Sequence, residues 1–194
     1  MESNGAIMIS TQHTKENYIN LNLSIDSDDD TWRKALDILR SRIEGRYLRQ
    51  IETLSDNICA NSFTIMALNC LLVDALHQFK DGLRDSKNNS GEKYKNFLQD
   101  ALSDTFDEQM AKRFYSDVRC GILHSAQTGN KARLTDNNGY IVCIENDILL
   151  VSVHRFSQRI RDYFDDYTYR LSDRSNKMLR RKFIKKMDFI CKRD

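Results

Sequence analysis

Arg119 and His124 stand five residues apart in the stretch FYSDVRCGILHSAQT, which runs from Phe114 to Thr128. Histidine titrates near neutrality and can take or return a proton, while arginine presents a permanently charged fork to phosphate oxygens. The pair suits a phosphodiester whose nucleophile the substrate supplies itself. RNA is such a substrate, because its 2′-hydroxyl can attack the neighbouring phosphorus and leaves the protein only proton transfer and stabilisation of a phosphorane. Nothing in that chemistry requires a metal. The four histidines, His13, His77, His124 and His154, have no ligand spacing with one another or with Cys59, Cys70, Cys120, Cys143 and Cys191. No metal, no other cofactor and no disulfide is therefore expected.

Placed on an ideal helix that advances about 100° per residue, Phe114, Val118 and Ile122 form one narrow core-facing stripe. Arg119 and His124 then lie roughly 140° apart and bracket the opposite side. Between them fall Ser116, Cys120, Leu123 and Gln127, a small and uncharged arc suited to contact with another subunit. A two-fold dimer across this seam brings two Arg–His pairs to one cleft.

The elements that must position this helix are mostly helical themselves. In 194 residues there is no proline, apolar residues make up 40% and charged residues 30%, so long solvated helices around one core are expected. Residues 1–30 read as an N-terminal arm, in which Ala6 to Ser10 and Ile19 to Ile25 are either edge strands or loosely packed segments. Residues 31–194 read as one helical domain. Asp28, Asp29 and Asp30 announce a helix start, and Trp32, Leu36, Leu39, Ile43, Tyr47, Ile51 and Leu54 give that helix an apolar face. From Ile58 to Phe79 apolar residues surround the helix, which predicts a central position; the run Ile65 to Leu76, broken by Asn69 and Asp74, is too short for a membrane span. Asp74 is either a carboxylate at the edge of the buried face or the partner of Arg119, and His77 reads as a packed or surface histidine.

Arg84 to Lys93 reads as an exposed loop, and Tyr94 to Phe106 as a short amphipathic helix. Gly129 is the expected cap of the motif helix. Two β-branched runs, Tyr140 to Ile144 and Ile148 to Val153, predict a small β-hairpin at about 133–153, inserted after the motif helix. Helix resumes near Arg155. A basic helix at about 174–192 ends the chain, with nine Lys or Arg against two Asp over Arg174 to Asp194, and it is either a solvated face or a footprint for phosphate backbones.

In this context Arg119-Cys-Gly-Ile-Leu-His124 resembles the Arg-x4-6-His signature of the HEPN superfamily, and the apolar helix bearing Asp74 looks like that family's second helix. The resemblance covers roughly residues 31 to 170. It implies a mainly α, HEPN-like helical bundle that dimerises to form one composite, metal-independent endoribonuclease site, with Arg119 on the scissile phosphate, His124 in acid–base chemistry or phosphate orientation, and Asp74 orienting Arg119. Many members are toxins or antiviral effectors, so the implied partners are RNA, a second copy and an antitoxin or defence-system protein. Two positions depart from the pattern. Cys120 stands where active members often carry Asn, Asp or His, and Ala126 stands where the antitoxin-paired subgroup has a tyrosine. The competing expectation is a catalytically inactive HEPN-like interaction or regulatory subunit. MESNGAIMIS has no basic start or apolar run, so a cytoplasmic protein without a membrane segment is expected.

Overall fold

A computed structural model describes residues 6–85, 89–137 and 139–192. The chain is mainly helical with a small three-stranded sheet, and it groups into two compact units. Met1–Gln50, Gln78–Asp85 and Asp165–Asp194 form the first, and Ile51–His77 with Ser86–Phe164 form the second.

In the first unit, Thr14 and Asn17 form a capping box for α1 (Lys15–Ile19), and Ile9 and Tyr18 are buried. The alternating runs of the N-terminal stretch make no strand among the described residues, only an isolated bridge between Met8 and Thr14. The Asp28 side chain caps α2 (Asp29–Ile43) through the Thr31 amide at 2.7 Å, with Asp29 and Asp30 in the first turn. A π turn, Glu44–Leu48, carries the chain on to α3 (Arg49–Leu54). At the other end of the sequence, α9 (Lys177–Cys191) places Phe183 against Trp32 and Phe79, with ring centroids 5.7 and 6.1 Å apart. Its basic residues are not all solvated. Arg180 is 1% exposed, lies 4.3 Å over the Trp32 ring and donates to the Leu171 and Ser172 carbonyls at the end of α8 (Val153–Ser172); Lys186 is also buried. Terminal carbonyls that helix geometry leaves open thus receive a charged donor.

The second unit is built on α4 (Ile58–Asp81), α5 (Ser90–Ala101), α6 (Glu108–Arg113) and the first part of α8. Phe114 stacks on Phe156 at 4.9 Å and meets Phe106 edge-on at 5.4 Å, while Phe97 meets Tyr163 at 5.1 Å. The anticipated hairpin is present as antiparallel β2 (Val142–Glu145) and β3 (Ile148–Ser152). A third strand, β1 (Ala132–Thr135), pairs parallel with β3, giving the order β1-β3-β2. With only four residues and a mixed pattern it lacked the β-branched run that marks its neighbours. Asn138, in the turn expected before β2, lies outside the described residues.

One expectation for α4 is corrected. It is not covered on all sides, because Phe63 is 37% and Leu71 43% exposed. By length and composition, the helical stretch Asp29–Asp81 holds one 18-residue window, of mean hydropathy 1.5 and one third buried, that is long and apolar enough to cross a membrane. The core helix of a soluble protein passes the same test. Asn69, at the middle of α4, is buried and donates to Ser157 at 2.8 Å, and His77 is buried edge-on to Phe97.

Candidate functional site

The stretch that carries Arg119 and His124 is not a uniform α-helix. Phe114–Cys120 is a π turn that follows α6 directly, and α7 (Gly121–Ser125) completes the segment. Phe114, Val118 and Ile122 are buried as the core stripe. The angular placement of the functional groups changes, however, because i→i+5 bonding holds more residues in each turn than the ideal geometry assumed. The tips of the two side chains meet, with Arg119 Nη1 3.4 Å from His124 Nε2. A guanidinium can only donate, so a hydrogen bond between them requires the imidazole to accept at Nε2. Turns of this kind occur frequently at functional sites.

Asp74 is paired with Arg119. Arg119 Nη2 donates to Asp74 Oδ2 at 3.1 Å, and each side chain is 17% exposed. Burial works against the guanidinium's charge, but the hydrogen bond and charge of Asp74 outweigh it, and the Arg119 pKa is raised. Arg119 Nη1 also lies 3.9 Å from Cys120 Sγ, and the guanidinium carbon sits 5.6 Å from the centroid of the Tyr115 ring. Its Nε is buried and makes no hydrogen bond among the described residues. Behind the pair, burial pushes the Cys70 thiol up to about 12 and raises the Tyr94 phenol, so both groups stay neutral. His124, Ser116 and Gln127 are exposed, whereas Cys120 and Leu123 are half-buried. Ser116 Oγ donates to the Arg113 carbonyl and to Asp117.

Several contributors escaped the sequence reading. Tyr115 is four residues before Arg119, a spacing that places side chains together on a helix and could have flagged it. Gly121 sits inside the motif itself. A Cβ there would lie 2.5 Å from the Gln127 carbonyl oxygen, so only glycine lets the chain fold back over the start of α7. Ala126, not Gly129, ends the helix, in a left-handed conformation with φ 52°. Gly129 serves a different purpose: its amide donates to the Asp117 carbonyl at 2.7 Å, which fastens the returning loop to the π turn.

Asp74, Arg119 and His124 thus form a continuous polar array from the half-buried carboxylate to the exposed imidazole. Its groups can bind a phosphate and move a proton. Among the described residues no cluster of three His, Cys, Asp or Glu side chains is placed to hold a metal ion. No protein-family model, no curated protein and no solved structure matches the chain.

Proposed function

We propose that this protein is a HEPN-like, metal-independent endoribonuclease of the toxin or phage-defence type, acting in the cytoplasm as a homodimer. The observation that carries the reading is the Asp74–Arg119–His124 array, with its contacts of 3.1 and 3.4 Å on a π turn. In the reaction, the RNA 2′-oxygen forms a bond to phosphorus and the bond from phosphorus to the 5′-oxygen breaks. One His124 takes the 2′-hydroxyl proton, the His124 of the second copy returns a proton to the leaving 5′-oxygen, and Arg119 offsets the charge that builds on the phosphorane. Asp74 holds Arg119 in place. The dimer reading draws on the seam of Ser116, Cys120, Leu123 and Gln127, and on the exposed Phe63 and Leu71 of α4, whose helical spacing puts them on the same side as Asp74.

The test is incubation of purified protein with mixed RNA in EDTA, beside Arg119→Ala and His124→Ala. Cleavage that leaves 2′,3′-cyclic phosphate ends, lost in both variants while light scattering still reports a dimer, is the expected result. Equal residual cleavage in all three proteins overturns it as contamination. A second reading, an inactive interaction or regulatory subunit, is favoured by Cys120 beside Arg119 and by the engagement of that arginine with Asp74. Absence of cleavage with dimerisation and RNA or partner-protein binding intact is the outcome that selects it.

A further inference from the structure

The first unit carries a basic groove that the Arg119–His124 chemistry does not use. Arg84, Lys185, Asp188, Phe189 and Lys192 line an open cavity of about 510 Å³, within the roughly 300–1,000 Å³ of ligand pockets. Gly82 makes this wall possible. It has φ 63°, and a Cβ on it would fall 2.9 Å from the Lys182 backbone, so the turn leading to Arg84 can press directly onto α9. Lys186 then locks it there, donating to the Arg84 carbonyl at 2.9 Å and to Gln78 at 2.6 Å. Lys186 is 6% exposed; besides these two oxygens its ammonium lies 5.2 Å from the centroid of the Phe189 ring, and the Asp85 carboxylate offsets part of its charge.

The groove's one carboxylate is already engaged, since Asp188 pairs with Lys192 at 3.0 Å and accepts from the Tyr18 hydroxyl at 3.3 Å. Arg84 and Lys185 have no carboxylate within 4.0 Å among the described residues. Helical spacing puts Lys185, Phe189 and Lys192 on one stripe of α9, with the aromatic ring between the two ammonium groups. Cations that track a backbone, interleaved with an aromatic face for bases, are how sequence-tolerant single-strand binders are built. We infer that this groove is a docking site for single-stranded nucleic acid, with phosphates on Arg84 and Lys185 and a base on Phe189. An acidic peptide would satisfy the cations and gain nothing from the stacking face. The inference is independent of cleavage at Arg119 and His124.

Fluorescence anisotropy with a labelled twelve-residue oligothymidylate tests it on the full chain, since this probe has no 2′-hydroxyl and its binding reads nothing about cleavage. Two phosphate contacts give a slope of log K against log salt of about −1.4, hence roughly sevenfold weaker binding between 50 and 200 mM salt. Arg84→Ala with Lys185→Ala should flatten the slope to near zero. Phe189→Leu keeps apolar packing and should weaken binding about tenfold at unchanged slope, while Phe189→Tyr should bind as wild type. The site is overturned by a flat wild-type salt dependence, by full affinity in the double alanine variant or in Phe189→Leu, or by an oligoglutamate that competes as well as the oligonucleotide.

Discussion

Removal of Asp74 should cost stability chiefly through Arg119, and a double-mutant cycle can isolate that cost. The two side chains are joined at 3.1 Å and each is 17% exposed, so the guanidinium left by Asp74→Ala would remain largely covered with its strongest acceptor gone. A hydrogen bond to a charged group contributes about 1.5–3 kcal/mol, and for a chain of this size a loss of about 2 kcal/mol lowers Tm by roughly 4–8 °C. Arg119→Met should cost a similar amount, since it strands the carboxylate. In the Arg119→Met background, however, Asp74→Ala should be nearly neutral, giving a coupling energy of about 2 kcal/mol by urea unfolding. A coupling below about 0.5 kcal/mol, with the two single costs simply adding, would refute the claim that Asp74 acts through Arg119.

Gly121→Ala forces a methyl to within 2.5 Å of the Gln127 carbonyl, so unfolding free energy should fall by about 1–3 kcal/mol, and amide exchange in residues 126–129 should accelerate. Asp28, Asp30, Asp104, Asp147 and Asp173 are all held below the usual carboxylate pKa, by the Thr31 amide, by Lys34 and Arg33, by Arg159, by Lys131 and by Ser175 respectively. A depressed folded value means that stability is fully present above the unfolded pKa of about 3.9 and is lost as pH falls through the folded values, so Tm should hold from neutrality to about pH 5 and decline below pH 4.

Much of the architecture could be read directly from residue patterns. The Asp28 cap, the apolar faces of α2 and α5, the β-branched hairpin and the stripe of Phe114, Val118 and Ile122 are local signals, and each lies where its pattern pointed. What escaped was set by contacts distant in sequence or by backbone register. Hydropathy alone could not say that Phe63 and Leu71 would be left uncovered, because an apolar helix looks the same whether or not every side finds a neighbour. Nor could composition separate Arg180 and Lys186 from the seven other cations in Arg174 to Asp194; their burial depends on Trp32, Leu171, Gln78 and Arg84. At the candidate site the residue types and spacing were visible, whereas the π turn that sets the approach of Arg119 to His124 was not, since helical periodicity does not register a single widened turn.

The first unit is assembled from both ends of the chain, and this imposes an order on synthesis. Domains ordinarily fold as they leave the ribosome, beginning with the N-terminus. Here Trp32 obtains Phe183 and Arg180 only when the last helix has been made, and Tyr18 must wait still longer for Asp188. The second unit closes at Phe164, before any of α9 has been translated. The unit that holds Arg119 and His124 therefore has all its residues synthesised before Trp32 can meet its α9 partners, and a chain cut before Arg180 would lack the contacts that Arg180 makes with the Trp32 indole and the end of α8.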